Sequence, residues 1–271
     1  MKKPTKIIFA GTPEFALPYL QGLIADPDFL VLGVITQPDK PSGRKQELTP
    51  SPIKILAQKN NLIIWQPEKL RKDETITEEI KNSTPDLLVV VAYGQIIPQA
   101  ILDLFPLGSI NVHPSLLPKY RGASPIQNTI LNGDKTTGVS IMLMDAQMDH
   151  GSILAQNNIN LTGEETNESL HLKLAESGVP LLITTIKDYL DNKIKLQIQN
   201  DEIATYCQLV SKEEAKINWQ ETADRIKNKI YAFYPWPATW TLLNGQRLKI
   251  FPPAQIIKKT GLVGQVEIID N

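Results

Sequence analysis

Ser109-Ile110-Asn111-Val112-His113-Pro114-Ser115-Leu116-Leu117-Pro118 is the stretch on which the reading of this 271-residue chain turns. Residues 109–113 have the pattern of a strand, which breaks into a proline-rich loop running on to Gly122. Side chains at i and i+2 of a strand share one face, so Asn111 and His113 point the same way. In an open α/β sheet the carboxyl ends of the strands are where ligands bind. A carboxamide and an imidazole aimed together at that edge predict polar chemistry there. A second element, Met144-Asp145-Ala146-Gln147-Met148-Asp149-His150-Gly151, follows another candidate strand and brings carboxylates.

Outward from this point, strands alternate with helical patterns. Strands are expected at 6–10, 30–36, 62–65 and 87–92, and helices at 14–25, 52–60, 73–82 and 98–104. Pro52 suits the first turn of its helix. Such alternation predicts an α/β fold, a Rossmann-like and mostly parallel sheet flanked by helices. The first strand–helix turn, Gly11-Thr12-Pro13-Glu14-Phe15-Ala16, lacks the second glycine that lets backbone approach a pyrophosphate, which argues against a dinucleotide. A long helix over 167–192 closes a first domain of residues 1–192. Residues 193–205, polar and without a clear period, read as a linker. Residues 206–271 form a smaller β-rich domain. It has a helical run within 213–232 and a hairpin in which Asn244-Gly245 suits a type I′ turn between 240–243 and 246–251. A further strand is expected at 263–269.

At this length the chain can bury a full core, and two domains are expected. A net charge of −1 gives no global sign of nucleic-acid binding. The balance is +3 from Tyr206 onward and −4 in the rest, a small difference. The single Cys207 excludes an internal disulfide and a Cys-rich metal site. Three histidines and no His-Glu-x-x-His argue against a bound metal. No apolar run approaches a membrane span, and residues 1–6 lead directly into a strand with no room for a signal peptide. A cytoplasmic protein acting as a monomer, with no membrane partner, is expected.

Asn111-x-His113-x-Ser115-Leu116-Leu117-Pro118, followed by Arg121-Gly122-x-x-Pro125-Ile126-Gln127 and Asp149-His150-Gly151, resembles the formyltransferases that use 10-formyltetrahydrofolate. Further motifs fit, among them Phe9-Ala10-Gly11-Thr12-Pro13, Gln37-Pro38-Asp39-Lys40-Pro41-Ser42-Gly43-Arg44, Val89-Val90-Val91-Ala92-Tyr93-Gly94 and Phe233-Tyr234-Pro235-Trp236-Pro237. The likeness covers essentially the whole chain and is greatest to members that formylate initiator methionyl-tRNA. It implies that Asn111, His113 and Asp149 are the catalytic set. It implies that the formyl donor leaves as tetrahydrofolate and that no metal takes part. It places Ser115, Leu116, Leu117 and Pro118 along the folate site. Val91, Ala92, Tyr93 and Gly94 leave a neighbouring strand end and are expected to form the opposite wall. It implies that Lys40, Arg44 and Lys45, in the long loop 37–50, reach the tRNA acceptor stem. It also implies an OB-like barrel for the tail, which in that family continues beyond the position of Asn271, so an incomplete domain is expected.

Carboxamide, imidazole and carboxylate are what acyl transfer to an amine needs. The amide can donate to the developing oxyanion, the imidazole can move protons, and the carboxylate can orient the imidazole. Motif position favours Asp149 over Asp145, and His150 and His171 are set aside. Ala146, Gln147, Met148 and His150 depart from the family's usual residues between and after the acids, as Tyr231 does where an Arg is common. Lys212, Lys216, Arg225, Lys227, Lys229, Arg247 and Lys249 are candidates for phosphate contact, with Trp236 and Trp240 expected in packing. Alternatives are a formyltransferase acting on a sugar-nucleotide amine or on glycinamide ribonucleotide, a formyltetrahydrofolate hydrolase, and a non-catalytic folate- or RNA-binding protein.

Overall fold

In the computed structural model, residues 3–42, 46–257 and 263–264 are described. β1 (Thr5–Gly11) leads through a 3-10 turn at Glu14–Ala16 into α1 (Leu17–Ala25). β2 (Phe29–Ile35) follows. The long loop expected after it carries a short hairpin of its own, β3 (Lys40–Ser42) with β4 (Glu47–Thr49). α2 (Pro52–Lys59) is capped by Ser51, whose hydroxyl accepts the Lys54 N–H at 3.1 Å. That satisfies one of the orphan donors at a helix start. β5 (Ile63–Trp65), a 3-10 turn at Leu70–Lys72 and α3 (Glu74–Asn82) lead to β6 (Leu87–Val91). Then come α4 (Gln99–Leu102), β7 (Ser109–His113), β8 (Arg121–Gly122), α5 (Pro125–Leu131), β9 (Thr136–Leu143), β10 (Ile153–Asn160) and α6 (Asn167–Leu190). The tail holds β11 (Tyr206–Cys207), α7 (Ala223–Ala232), and the antiparallel hairpin β12 (Trp240–Leu243) and β13 (Gln246–Lys249). The strand expected over 263–269 lies, beyond residue 264, outside the described residues.

The main sheet has the order β10-β9-β7-β6-β1-β2-β5. The five strands from β7 to β5 are parallel, and β9 and β10 add an antiparallel edge. From β1 the chain goes to β2 on one side and later to β6 on the other, so the strand order reverses beside Gly11 and Val91, which are register partners. Ligands of open α/β sheets bind at such a switch. The sheet is buried on both faces, which is why its strands read as near-continuous apolar runs. Ile7, Phe9, Leu87, Val89 and Val91 pack with Leu20, Leu174 and Leu182 of α1 and α6. Ile8, Ala10, Leu88 and Val90 pack on the other side with Ile80, Ile101 and Phe105. In β7, Ile110 and Val112 take the first face. Alternation therefore turns Ser109, Asn111 and His113 to the other.

Residues 193–205 are laid along the first domain. Gln197 bridges antiparallel to Ile153, with N–H···O distances of 2.8 and 3.0 Å in the two directions. β11 then pairs in parallel with β8. α7 packs on α5, and Ile230, Tyr231 and Phe233 join the same core as Ile126 and Ile130. Among the described residues no helix is long and apolar enough to cross a membrane.

The entry to α6 makes one acid-sensitive joint. Thr166 and Ser169 form a reciprocal capping box, and Glu165 just before it is 5% exposed. Its carboxylate accepts the N–H groups of Thr162 and Gly163 and an ammonium hydrogen of Lys173 at 2.8 Å. Burial pushes its pKa up, but Lys173 and the backbone donors outweigh burial and hold it at about 2, below the ordinary 4.5. A depressed carboxyl favours the folded chain above the unfolded value, and that contribution is lost as pH falls from about 4.5 toward 2. Glu165→Gln is expected to cost up to about 3 kcal/mol at pH 7 and little at pH 2. Urea midpoints at both pH values check this; an equal loss at each would refute the charge-based account.

Candidate active site

Asn111 and His113 lie at the carboxyl end of β7 and are 9% and 4% exposed. The loop between β9 and β10 returns across them and brings Asp149 over their side chains. Asn111 Nδ2 donates to Asp149 Oδ1 at 3.4 Å, and His113 Nδ1 faces Asp149 Oδ2 at 3.7 Å. The second imidazole nitrogen, Nε2, lies 2.9 Å from the Tyr120 carbonyl. A carbonyl only accepts, so Nε2 carries the hydrogen and donates it there. That leaves Nδ1 as the nitrogen free to accept and release a proton, and it is the one turned to the carboxylate. The structure thus brings the three expected catalytic residues together.

Asp149 is itself held tightly. Its Oδ2 accepts the Gly122 N–H at 2.8 Å. Its backbone takes a left-handed φ of 50°, uncommon outside glycine but tolerated by Asp. Gly122 has φ 119°, and a Cβ there would stand 2.2 Å from the Cys207 carbonyl. A Cβ on Gly151 would stand 1.9 Å from the Leu143 carbonyl. Both positions need glycine because backbone passes too close for any side chain.

Two further residues, absent from the sequence-based set, complete the support. Gln199 is 7% exposed and donates from Nε2 to the Asp149 carbonyl at 2.9 Å and the Gly151 carbonyl at 2.8 Å. Its Oε1 accepts from Arg121 Nε at 3.0 Å and Nη2 at 2.9 Å. Arg121 is 2% exposed and also donates to Asp201 at 2.8 Å and to the Tyr206 hydroxyl at 3.2 Å. The segment expected to be a linker therefore clamps the loop that carries Asp149. One signal was present in the sequence: Leu196-Gln197-Ile198-Gln199 alternates with the period of a strand. Here Gln199 is the residue that faces inward, with Ile198 84% exposed.

The expected folate walls divide into supports and surface. Val91 and Tyr93 are buried in the two opposite cores, and Leu117 packs with Met142 and Ile153. Ser115 is buried, and its hydroxyl donates to the Lys119 carbonyl at 2.5 Å. Leu116 and Pro118 are half-buried, while Ala92 and Gly94, with φ 49° and 82°, present exposed backbone. Gln37 braces that backbone by donating to the Tyr93 carbonyl at 3.0 Å, and the Thr12 hydroxyl does so at 2.9 Å. Exposed peptide groups beside apolar side chains fit a flat heteroaromatic ring.

Lys40 opens the β3–β4 hairpin, and its ammonium donates to Gln37 Oε1. Arg44 and Lys45 lie outside the described residues. Among the tail cations, Arg225 donates to the Leu131 carbonyl at 2.6 Å, Lys227 pairs with Glu164 at 2.5 Å and Lys229 with Glu221 at 2.9 Å. They fasten α7 to its surroundings. Trp240 is covered by the Arg247 guanidinium, 4.0 Å from the ring centroid. Tyr231 donates to Glu164 at 2.9 Å. His150 pairs with Asp145 at 2.7 Å, which lifts its pKa, and His171 packs edge-on to Phe15 with its pKa lowered by burial. Among the described residues no group of three or more His, Cys, Asp or Glu gathers as metal ligands would.

A family described as formyl transferase matches residues 5–186, and the formyl transferase C-terminal domain matches residues 209–270. A methionyl-tRNA formyltransferase of Pseudomonas fluorescens (strain Pf0-1) is 45% identical over 250 residues, covering 92% of this chain and 78% of that protein. Among solved structures, a 4-N formyltransferase from Francisella tularensis superposes with a TM-score of 0.72 at 21% identity, over 93% of this chain and 99% of that one. HypX from Aquifex aeolicus in complex with tetrahydrofolic acid gives a TM-score of 0.66 at 14% identity, over 98% of this chain and 40% of that one. At these identities the two structures speak for the fold.

Proposed function

The chain belongs to the formyl transferase family, and from that premise we propose that it transfers the formyl group of 10-formyltetrahydrofolate to the amino group of initiator methionyl-tRNA. The observation that carries the choice of acceptor is the 45% identity to a methionyl-tRNA formyltransferase across 92% of the chain. A sugar 3N-formyl transferase shares the fold at 23% identity, which does not extend to its acceptor. Formylmethionyl-tRNA so made serves translation initiation.

The incoming amine attacks the formyl carbon, and negative charge develops on the formyl oxygen. The Asn111 amide has two N–H donors, one directed to Asp149, which leaves the other for that oxygen. The attacking nitrogen must lose a proton and the folate nitrogen must gain one as its bond to the formyl carbon breaks. His113 Nδ1 takes the first proton and returns it to the leaving nitrogen. While it carries the proton, Asp149 Oδ2 stands 3.7 Å away and offsets the charge. No covalent bond to the protein is required. Ala92 and Gly94, with Leu116 and Pro118, flank the donor's ring. Lys40, Arg44 and Lys45 meet the acceptor's phosphates.

The test is to supply 10-formyltetrahydrofolate with methionyl-initiator-tRNA or with a sugar-nucleotide amine. Formylmethionine on the tRNA, with no transfer to the sugar, is expected. Transfer to the sugar alone would overturn the acceptor assignment. Folate release without any acceptor would identify a hydrolase.

A further inference from the structure

A cleft of about 510 Å³ opens beside the proposed donor site and is lined by Gln37, Lys40, Glu68, Lys69, Arg71 and Gln95, among others. We propose that Lys69 and Arg71 form an anion subsite for backbone phosphates of the tRNA near its aminoacylated 3′ end. This rests on the acceptor assigned above.

Three observations carry it. The first is charge. Lys69 and Arg71 are exposed, and neither has a carboxylate partner within 4 Å among the described residues. Asp39 on the cleft wall is engaged by Lys54 at 2.7 Å and by Gln66 at 2.8 Å. Glu68 is then the cleft's remaining acid, against Lys69, Arg71 and Lys40. The second is rigidity. Both cations flank Leu70, which is 1% exposed and buried in the core beneath. The Leu70 N–H donates to Gln95 Oε1 at 3.1 Å, and Gln95 Nε2 donates to the Pro67 carbonyl at 3.1 Å. The basic turn is thus pinned to the loop that follows β6, whose Ala92 and Gly94 are assigned to the donor. A cation on a fixed mount loses less freedom on binding than one on a loose loop.

The third is position. The turn follows β5, Lys40 follows β2, and His113 ends β7, all at the carboxyl edge of one sheet. Strands lie ~4.8 Å apart, so β7 and β5, four places apart, are separated by roughly 19 Å, with β2 between them. A strand whose terminal amino acid sits at His113 passes this cleft within a few nucleotides. Lys69 and Arg71 continue the cationic track begun at Lys40.

The experiment reverses both charges, Lys69→Glu with Arg71→Glu, at exposed positions that leave Leu70 in place. The KM for methionyl-tRNA is expected to rise on the order of 10-fold at low salt, and the slope of log KM against log salt to fall by about two. Turnover at saturation and the KM for 10-formyltetrahydrofolate are expected to stay unchanged. An unchanged tRNA KM would reduce the turn to a solvated surface and overturn the subsite. A raised folate KM with an unchanged tRNA KM would assign the cations to the donor's carboxylates instead, and also overturns it. If the wild-type chain formylates no methionyl-tRNA, the acceptor assignment fails first and the subsite with it.

Discussion

His113→Ala is expected to slow formyl transfer on the order of 100-fold or more, about 2.7 kcal/mol of barrier, while donor and acceptor KM values stay near those of the wild type. The size follows from how the imidazole is held. Nε2 is committed to the Tyr120 carbonyl at 2.9 Å, so the side chain has one working nitrogen. Nδ1 faces Asp149, and the set offers no second base at that position. Alanine also frees the Tyr120 carbonyl, which could loosen the loop and confuse the result. His113→Gln separates the two effects, because its amide nitrogen can still donate to Tyr120 but cannot take a proton and return it. Turnover should fall about as far in His113→Gln as in His113→Ala, with folate binding and thermal midpoint retained. A Gln variant with near-normal turnover would remove proton transfer from the account and leave His113 as a loop anchor.

The sheet was legible because burial on both faces writes continuous apolar runs. Leu87–Val91 is buried at every position, as its composition implies. Local signals also carried through. Ser51-Pro52 starts α2, and Asn244 and Gly245 adopt φ 50° and 77°, as a type I′ turn requires. Asn111 and His113 shared a face by strand periodicity alone. What stayed hidden depends on contacts distant in sequence. The antiparallel setting of β9 and β10 is fixed by register partners such as His113 with Ser140, and no short window encodes that. Arg121 is a cation near the end of a proline-rich loop, yet it is buried because Gln199, Asp201 and Tyr206, 78 to 85 residues away, satisfy its hydrogens. The working tautomer of His113 is set by Tyr120, whose φ of 60° is a property of the folded loop. Residues 193–205 read as a linker because the side chain they bury is polar, Gln199, bonded to backbone carbonyls and to Arg121.

The second large effect is expected at Gln199. Its amide joins Arg121 to the carbonyls of Asp149 and Gly151, so it sets where the Asp149 loop lies over β7. Asp149 gains its grip on His113 only at that position, and an error of about 1 Å in a catalytic group can cost on the order of 100-fold. Gln199→Ala is expected to lower kcat 10- to 100-fold, with the KM for tRNA nearly unchanged. It also leaves a buried guanidinium short of an acceptor, so lost stability could mimic lost positioning. Gln199→Glu distinguishes them. A carboxylate accepts the Arg121 fork as well as an amide oxygen does, or better. It cannot donate to either carbonyl, and its negative charge faces both. If Gln199 positions the loop, Gln199→Glu keeps Arg121 paired and still loses kcat. If Gln199 serves only to satisfy Arg121, Gln199→Glu restores kcat and the thermal midpoint of the wild type, and Asp149 must then owe its placement to Gly122 and Asn111.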